Sequence, residues 1–531
     1  MSDSVPSPAP AGRQIARAAG VVMITFVFSK LVSLLSNLLV ARAFGTGPQV
    51  DAFWAANLVS DTIFSIVAGG ALASAFVPNF VALLAQNRRA EAWRLASSIV
   101  NLVGLALAAI CLLAGIFAPW VVSRLLASGF TDPAQQELAV RLLRIQLPAA
   151  VIFGLSGLCM GILNGHQVFL YPALAPVMYP LGLIFGAEVL APHMGIEGLA
   201  YGVLIGAALH LLVQIPALLR LPQRRYTFGL GWKDPAVRQV FLLMAPRLLG
   251  VSVVYLNFWI NTQIASTLPP GSITAIKFAF NLMMMPQAAI AQSAATAAMP
   301  TFSAQVALGR REEMRSALAA TLRGVLLLAL PATFGLILLR VPLVQLIYER
   351  GAFTPESTRL VAWALLWYAA GLVGHCGVEI ASRAFYAMQD TRTPVLVTTA
   401  AMLLNVALSF GLTALFGRAG WLELGGLALA NSFATGLECA VLLLIMRRRL
   451  QGLGGRALPS ALAQAAAGTA LMSAGLVGFL ALFPSGPLWW TAAGGSLVGG
   501  GLFAAALLAL RVPEAQWLVR AAARRIRRAS S

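Results

Sequence analysis

Between Arg94 and Arg124 the chain carries no charged side chain, and the middle of that run reads Leu102-Val-Gly-Leu-Ala-Leu-Ala-Ala-Ile-Cys-Leu-Leu-Ala-Gly-Ile-Phe-Ala118. About 20 apolar residues coiled as an α-helix cross about 30 Å of hydrocarbon. This stretch is long enough to span a bilayer. It is one of a series. Working outward, apolar blocks read as helices at 18–43, 52–84, 93–121, 137–164, 168–192, 197–219, 236–267, 273–303, 313–346, 357–387, 394–416, 421–446, 459–483 and 487–511. Glycine and proline occur inside them, as at Gly69-Gly70 and Pro286. Membrane helices tolerate both, because neighbouring groups re-satisfy the freed backbone. The whole chain agrees with this reading. It is 59% hydrophobic and 10% charged, whereas soluble domains are about 25% charged.

The formal net charge is +19, and its placement decides its meaning. Positive residues collect at Arg13 and Arg17, at Arg88-Arg89 with Arg94, and at Arg220, Arg224, Arg225 and Lys233. Further clusters are Arg310-Arg311 with Arg315, Arg447-Arg448-Arg449 with Arg456, and the tail from Arg520 to Arg528. With fourteen helices all of these fall on one side, while loops such as 266–273 and 484–487 opposite them are charge-poor. That is the positive-inside pattern, with both termini cytoplasmic. The charge is therefore read as a topology determinant, and no nucleic-acid partner is expected.

An offset of 222 residues superposes landmarks. Pro78 falls on Pro300, Arg88-Arg89 on Arg310-Arg311, Gln167 on Gln389 and Pro172 on Pro394, and Gly129–Pro133 parallels Gly351–Pro355. Each unit holds six helices, an even number, so both keep one orientation, as in parallel transporter repeats. The fold expected is an all-α polytopic membrane protein of about fourteen transmembrane helices. Two six-helix lobes, 15–222 and 233–450, are related by the repeat. Two further helices lie in 457–512, between a disordered tail at 1–14 and a basic cytoplasmic tail at 513–531. Two lobes facing a cleft are the geometry of alternating access.

No nucleotide-binding loop, zinc-protease helix or nucleophile elbow is present, so the chain is read as a transporter and not as an enzyme. Cys111, Cys159, Cys376 and Cys439 all lie in apolar blocks without metal-site or disulfide spacing, and the four histidines are scattered. No cofactor is expected; the driving force is an ion gradient, the membrane potential or consumption of the product. The informative residues are charges inside apolar blocks, since a charge at the bilayer centre costs about 2.5–3.5 kcal/mol and normally faces a cavity or a partner. Lys30 stands in the middle of the first block and Asp61 in the second. Arg247, Lys277 and Arg323 stand nearer helix ends, where snorkelling to the interface is an equal alternative. Glu379 and Arg383, at i and i+4, read as an intrahelical pair, and Glu438 lies in the twelfth block. Asn37, Asn57, Asn261 and Asn281 either line a cavity or serve as interhelical glue.

Several stretches in fixed order carry a resemblance. They are Val40-Ala-Arg-Ala-Phe-Gly45, Asp51-Ala-Phe53, Ala75-Phe-Val-Pro78, Leu163-Asn164 before Pro172-Ala-Leu-Ala-Pro176, Ala329-Leu-Pro331, Gly351-Ala-Phe-Thr354, Phe385-Tyr386, Gln389-Asp390 and Thr393-Pro394. From about residue 20 to 450 the chain resembles the MurJ/MviN family of lipid II flippases, in the multidrug and oligosaccharidyl-lipid exporter superfamily. The resemblance implies a cationic cavity and a groove at the last two helices for a lipid tail. It also implies movement of an undecaprenyl-pyrophosphate-linked glycan, the peptidoglycan precursor lipid II, from the inner to the outer leaflet of the bacterial inner membrane. Lys30 keeps the charge of the family's Ser-Arg in the first helix. Ser36-Asn37 stands where the family has Arg-Asp, no arginine occurs near Phe64, and Asn281 replaces another arginine. Candidate substrate-binding residues are Lys30, Lys277, Asn281 and Asp61; candidate gate residues are Asp51, Ser36 and Asn37. The expected partners are the polyprenyl-linked lipid, membrane lipids and cell-wall synthesis proteins, and the protein is expected to be a monomer. Two other readings stay open: a flippase for another lipid-linked saccharide or amphiphile, and a transport-inactive membrane scaffold.

Overall fold

The computed structural model describes residues 11–67, 71–222, 225–453, 455, 457–483 and 486–516. Among them no strand occurs, as lipid requires of a single chain that does not close a barrel. Sixteen principal helices follow one another. The first seven are α1 Ala11–Phe44, α2 Pro48–Val67, α3 Ala71–Ala85, α4 Arg89–Ile116, α5 Pro133–Gly165, α6 Leu170–Met194 and α7 Ile196–Leu219. The next seven are α8 Pro235–Ser266, α9 Ser272–Ala307, α10 Arg311–Tyr348, α11 Pro355–Ala370, α12 Leu372–Ala387, α13 Arg392–Arg418 and α14 Leu424–Arg449. The chain closes with α15 Ala457–Leu482 and α16 Trp490–Ala509. The expected tail at 1–14 falls outside the described residues up to residue 10, and α1 starts at Ala11. Of the basic tail, 517–531 fall outside them.

Among the described residues ten helices are long and apolar enough to cross a membrane, or eleven when α11 and α12, bent by 47° at Gly371, count as one span. The expected fourteen is not reached by this measure. The three remaining blocks, 18–43, 52–84 and 236–267, are nevertheless occupied by α1, by α2 with α3, and by α8. These are the helices that carry Lys30, Asp51, Asp61 and Asn261.

The repeat is written into the backbone. Helices α4, α5 and α6 start at Arg89, Pro133 and Leu170, and α10, α11 and α13 start 222 residues later at Arg311, Pro355 and Arg392. The turn before α4 closes with Arg88 N–H donating to Leu83 O, and that before α10 with Arg310 N–H donating to Gln305 O. Left-handed residues stand at Asn87 and Gly309 and at Gln167 and Gln389, the conformation that ends helices at C′. Equivalent helices also pack alike: α2 on α5 as α9 on α11, α4 on α5 as α10 on α11, and α6 on α7 as α13 on α14.

Two compact units result, Met1–Pro270 and Gly271–Ser531. The boundary differs from the one expected at 222–233, because α8 joins the first unit. In sequence α8 opens the second repeat. In space it packs on α2 and α3, held by Tyr255 O–H donating to Ser65 Oγ (2.6 Å) and Trp259 Nε1 donating to Thr62 Oγ1 (2.8 Å). An interhelical hydrogen bond in a membrane contributes about 0.6–2 kcal/mol. These bonds outweigh sequence order.

Within the first unit α6 and α7 cross through glycines. A Cβ on Gly182 would lie 2.3 Å from Gly206 Cα, and one on Gly202 would lie 2.6 Å from Gly182 O. Gly182 and Gly186, like Gly198, Gly202 and Gly206, recur every fourth residue, the small-residue spacing that lets two backbones touch without a hydrophobic driving force. Within the second unit, the bend between α11 and α12 frees carbonyls, and Ser432 of α14 fills the gap by donating to Trp367 O (2.6 Å).

Candidate functional site

In the first unit the candidate residues lie on α1 and α2. Lys30 is exposed, Asn37 is half-buried and Ser36 is buried. Ser36 Oγ has no hydrogen-bond partner among the described residues. Asp51 is buried in the first turn of α2, where the amide ends of the helix favour a carboxylate. Beside it Pro48, Gln49 and Val50 line a cavity of about 690 Å³ with the start of α5 and the turn from α6 to α7, including Arg141 and Glu197 3.8 Å apart.

Further along α2, Asn57, Asp61 and Ser65 recur at i, i+4 and i+8 and so share one face. Asn57 Nδ2 donates to Gln146 Oε1 of α5 (3.1 Å) and to Tyr179 of α6 (3.4 Å). Asp61 is half-buried and close enough for its charge to act on the hydroxyls of Tyr179 and Tyr255. Four helices thus place a polar seam in the first unit. Deeper along α5, Ser156 Oγ meets His210 Nδ1 (2.7 Å) of α7 and accepts from Gln214 Nε2 (2.6 Å). Gln146, Tyr179, Tyr255 and His210 did not stand out in the sequence, where charged residues and asparagines mark the apolar blocks. A neutral polar residue inside an apolar block was the signal available.

In the second unit Lys277 and Asn281 are half-buried one turn apart on α9. Between them Phe280 makes edge contacts with Tyr368 (5.3 Å) and His375 (6.1 Å). His375 Nε2 meets Asn431 Oδ1 of α14 at 3.1 Å. Glu379 and Arg383 form the intrahelical pair expected, Nη2 to Oε1 at 2.9 Å. Arg323 pairs with Glu514 (2.7 Å), so the residue read as a snorkelling or cavity cation instead ties α10 to the segment after α16. Buried Glu438 accepts from Thr398 Oγ1 (2.5 Å). The side chain of Arg247 lies outside the described residues.

At the end of α12 an ion pair locks a turn. Asp390 accepts from Thr393 N–H (3.0 Å) and Thr393 Oγ1 (2.6 Å), and Arg449 Nη1 lies 2.6 Å from its Oδ2. Burial pushes the Asp390 carboxyl up, but the Thr393 hydrogen bonds and the Arg449 guanidinium together outweigh it and bring the group to about 2. Arg449 also lies over the Phe385 ring at 5.2 Å. Among the described residues no group of three His, Cys, Asp or Glu forms a metal site.

Known proteins agree with this architecture. The family described as "Lipid II flippase MurJ" matches residues 40–490. A protein named "Lipid II flippase MurJ" from Burkholderia cenocepacia is 31% identical over 429 residues, covering 80% of this chain and 82% of that one. A "Probable lipid II flippase MurJ" from Vibrio cholerae is 29% identical over 443 residues, 81% and 82% of the two chains. Among solved structures, "Lipid II flippase MurJ, inward closed conformation" aligns with a TM-score of 0.79 at 24% identity, over 92% of this chain and 98% of that one. An inward-facing multidrug MATE transporter of the MOP superfamily aligns with a TM-score of 0.66 at 18% identity, over 80% and 94%. The structural likenesses speak to the fold; with the family matched over most of the sequence, the chain belongs to the lipid II flippase MurJ family.

Proposed function

We propose that this protein carries lipid II from the inner to the outer leaflet of the bacterial inner membrane by alternating access, with both termini cytoplasmic. The observation that carries the reading is family membership over residues 40–490 together with a fixed cation, Lys30, exposed on α1. A pyrophosphate needs positive charge, whereas a polyprenyl tail stays in lipid. Lys30, aided by Lys277, attracts the pyrophosphate as a point charge. Asn281 and Asp61 offer hydrogen bonds to the glycan and peptide. Asp51, Ser36 and Asn37 order the gate, Asp51 by completing the first turn of α2. An ion gradient or the membrane potential supplies the drive. The protein acts as a monomer with cell-wall synthesis proteins as its neighbours.

The second reading, a flippase for another lipid-linked saccharide, is favoured by one observation. By the resemblance, Ser36-Asn37 stands where the family has Arg-Asp and Asn281 where it has an arginine, and all three residues are uncharged here. Complementation separates the two. Expressed in bacteria depleted of their own lipid II flippase, the wild type is expected to restore growth, and a normally inserted Lys30→Ala variant is expected to fail. Absence of rescue by a correctly inserted wild type would move the assignment to another lipid-linked saccharide.

A further inference from the structure

We propose that the concave surface at the C-terminal end of α14 binds the phosphate of a membrane lipid. Leu444, Arg447, Arg448, Gln451 and Gly452 line a cavity of about 370 Å³, room for roughly a dozen waters at about 30 Å³ each. The lining residues recur at i, i+3, i+4 and i+7, one face of the helix and its end.

The three consecutive arginines here differ in what they touch. Arg449 is used structurally: it pairs with Asp390 at 2.6 Å, donates to Thr393 at 3.0 Å and covers Phe385. Arg447 and Arg448 are exposed, and among the described residues neither has an acidic side chain within 4.0 Å. A third guanidinium supports the pocket floor, where Arg315 Nη1 donates to Gln451 O (3.4 Å). Gln451 and Gly452 are both left-handed, with φ of 54° and 137°. Both lie in the turn that ends α14 and line the pocket.

Arginines at a helix end beside a membrane also set topology and complement the helix dipole. Neither role requires a concavity, and Arg449 serves both while fully engaged. The face is also graded. Leu444, 56% exposed, lies one turn before the arginines, on the side of the apolar body of α14. A ligand seated here meets hydrocarbon first and two forked donors next, the order in which a lipid presents an acyl or prenyl chain and then its phosphate. Arginine forks match phosphate oxygens in bidentate fashion, and basic pockets at membrane level hold anionic headgroups. Two lipids offer this chemistry, an ordinary anionic phospholipid and the polyprenyl pyrophosphate carrier. Neither Lys30 nor Lys277 is among its lining residues, so it stands or falls independently of the transport reading.

The test is binding to the full-length protein in detergent by native mass spectrometry. The probes are phosphatidylglycerol, undecaprenyl pyrophosphate, phosphatidylcholine and inorganic pyrophosphate. Either anionic lipid is expected to bind more tightly than phosphatidylcholine. The Arg447→Gln/Arg448→Gln variant is expected to lose about fivefold per arginine, while Arg447→Lys/Arg448→Lys keeps the charge and most of the binding. Phosphatidylglycerol that stays bound in the presence of undecaprenyl pyrophosphate supports a phospholipid site, and its displacement supports a site for the carrier. Unchanged lipid binding by the glutamine variant, or complete displacement of lipid by an equal concentration of inorganic pyrophosphate, would overturn the proposal.

Discussion

Single residues in this protein differ in what their surroundings ask of them. Lys30 is exposed on a long apolar helix, and a lysine there is costly unless water or an anion meets it. Its position was readable from the sequence because charge against an apolar background needs no neighbours to be noticed. Asp390 was not readable in that way. Its partners are Thr393 at the start of α13, through two groups, and Arg449 at the end of α14, and only the folded chain brings Arg449 to it. Its carboxyl is held at about 2, below the usual 3.9. A depressed carboxylate stabilises the fold above its unfolded value and loses that contribution as pH falls through the folded one. Asp390→Asn is therefore expected to cost about 1 kcal/mol near neutrality, after allowing for the part-exposed Arg449. The gap from wild type should shrink between about pH 4 and pH 2. Thermal unfolding of both proteins in detergent across that range measures it, and a constant gap would contradict the ionic origin.

At the scale of elements, alternation of apolar blocks and arginine loops located the helices, and helix starts follow the 222-residue offset because the same prolines and turn residues recur. What pattern did not reveal is how helices meet. The crossing of α6 and α7 depends on Gly182, Gly202 and Gly206 with backbone in direct approach. Adding a methyl at Gly182 forces rigid backbones apart, a strain of about 1–3 kcal/mol for one methylene in a packed core. Gly182→Ala is expected to lower the unfolding temperature measurably, and Gly182→Val to prevent accumulation of folded protein. Size-exclusion profiles of fluorescently tagged variants report both. Gly195, nothing within 4 Å of its Cβ direction, is a contrast: its cost is its φ of 60° and not packing.

For the whole molecule, the arginine clusters predict orientation. The loop bearing Gln86 should lie in the cytoplasm and that bearing Thr131 outside. Both residues are exposed, and the native cysteines are buried or half-buried. A membrane-impermeant maleimide applied to intact cells is expected to label Thr131→Cys and to spare Gln86→Cys until the membrane is opened. The reverse pattern would invert the topology and with it the direction of transport. The two-unit division belongs to this scale as well. The repeat places α8 at the head of the second half, but polar contacts from Tyr255 and Trp259 to α2 seat it in the first unit.

The sequence by itself determined that this is an all-helical membrane protein with a duplicated core, because the length and polarity of each block are local properties that the bilayer reads directly. It also determined which charges interrupt apolar blocks. Tertiary structure alone decided which unit holds α8, which arginines are locked and which face a pocket, and how neutral Gln146, Tyr179 and His210 assemble with Asn57 and Ser156. Those outcomes depend on hydrogen bonds between residues up to about two hundred positions apart, and no local pattern encodes such a pairing.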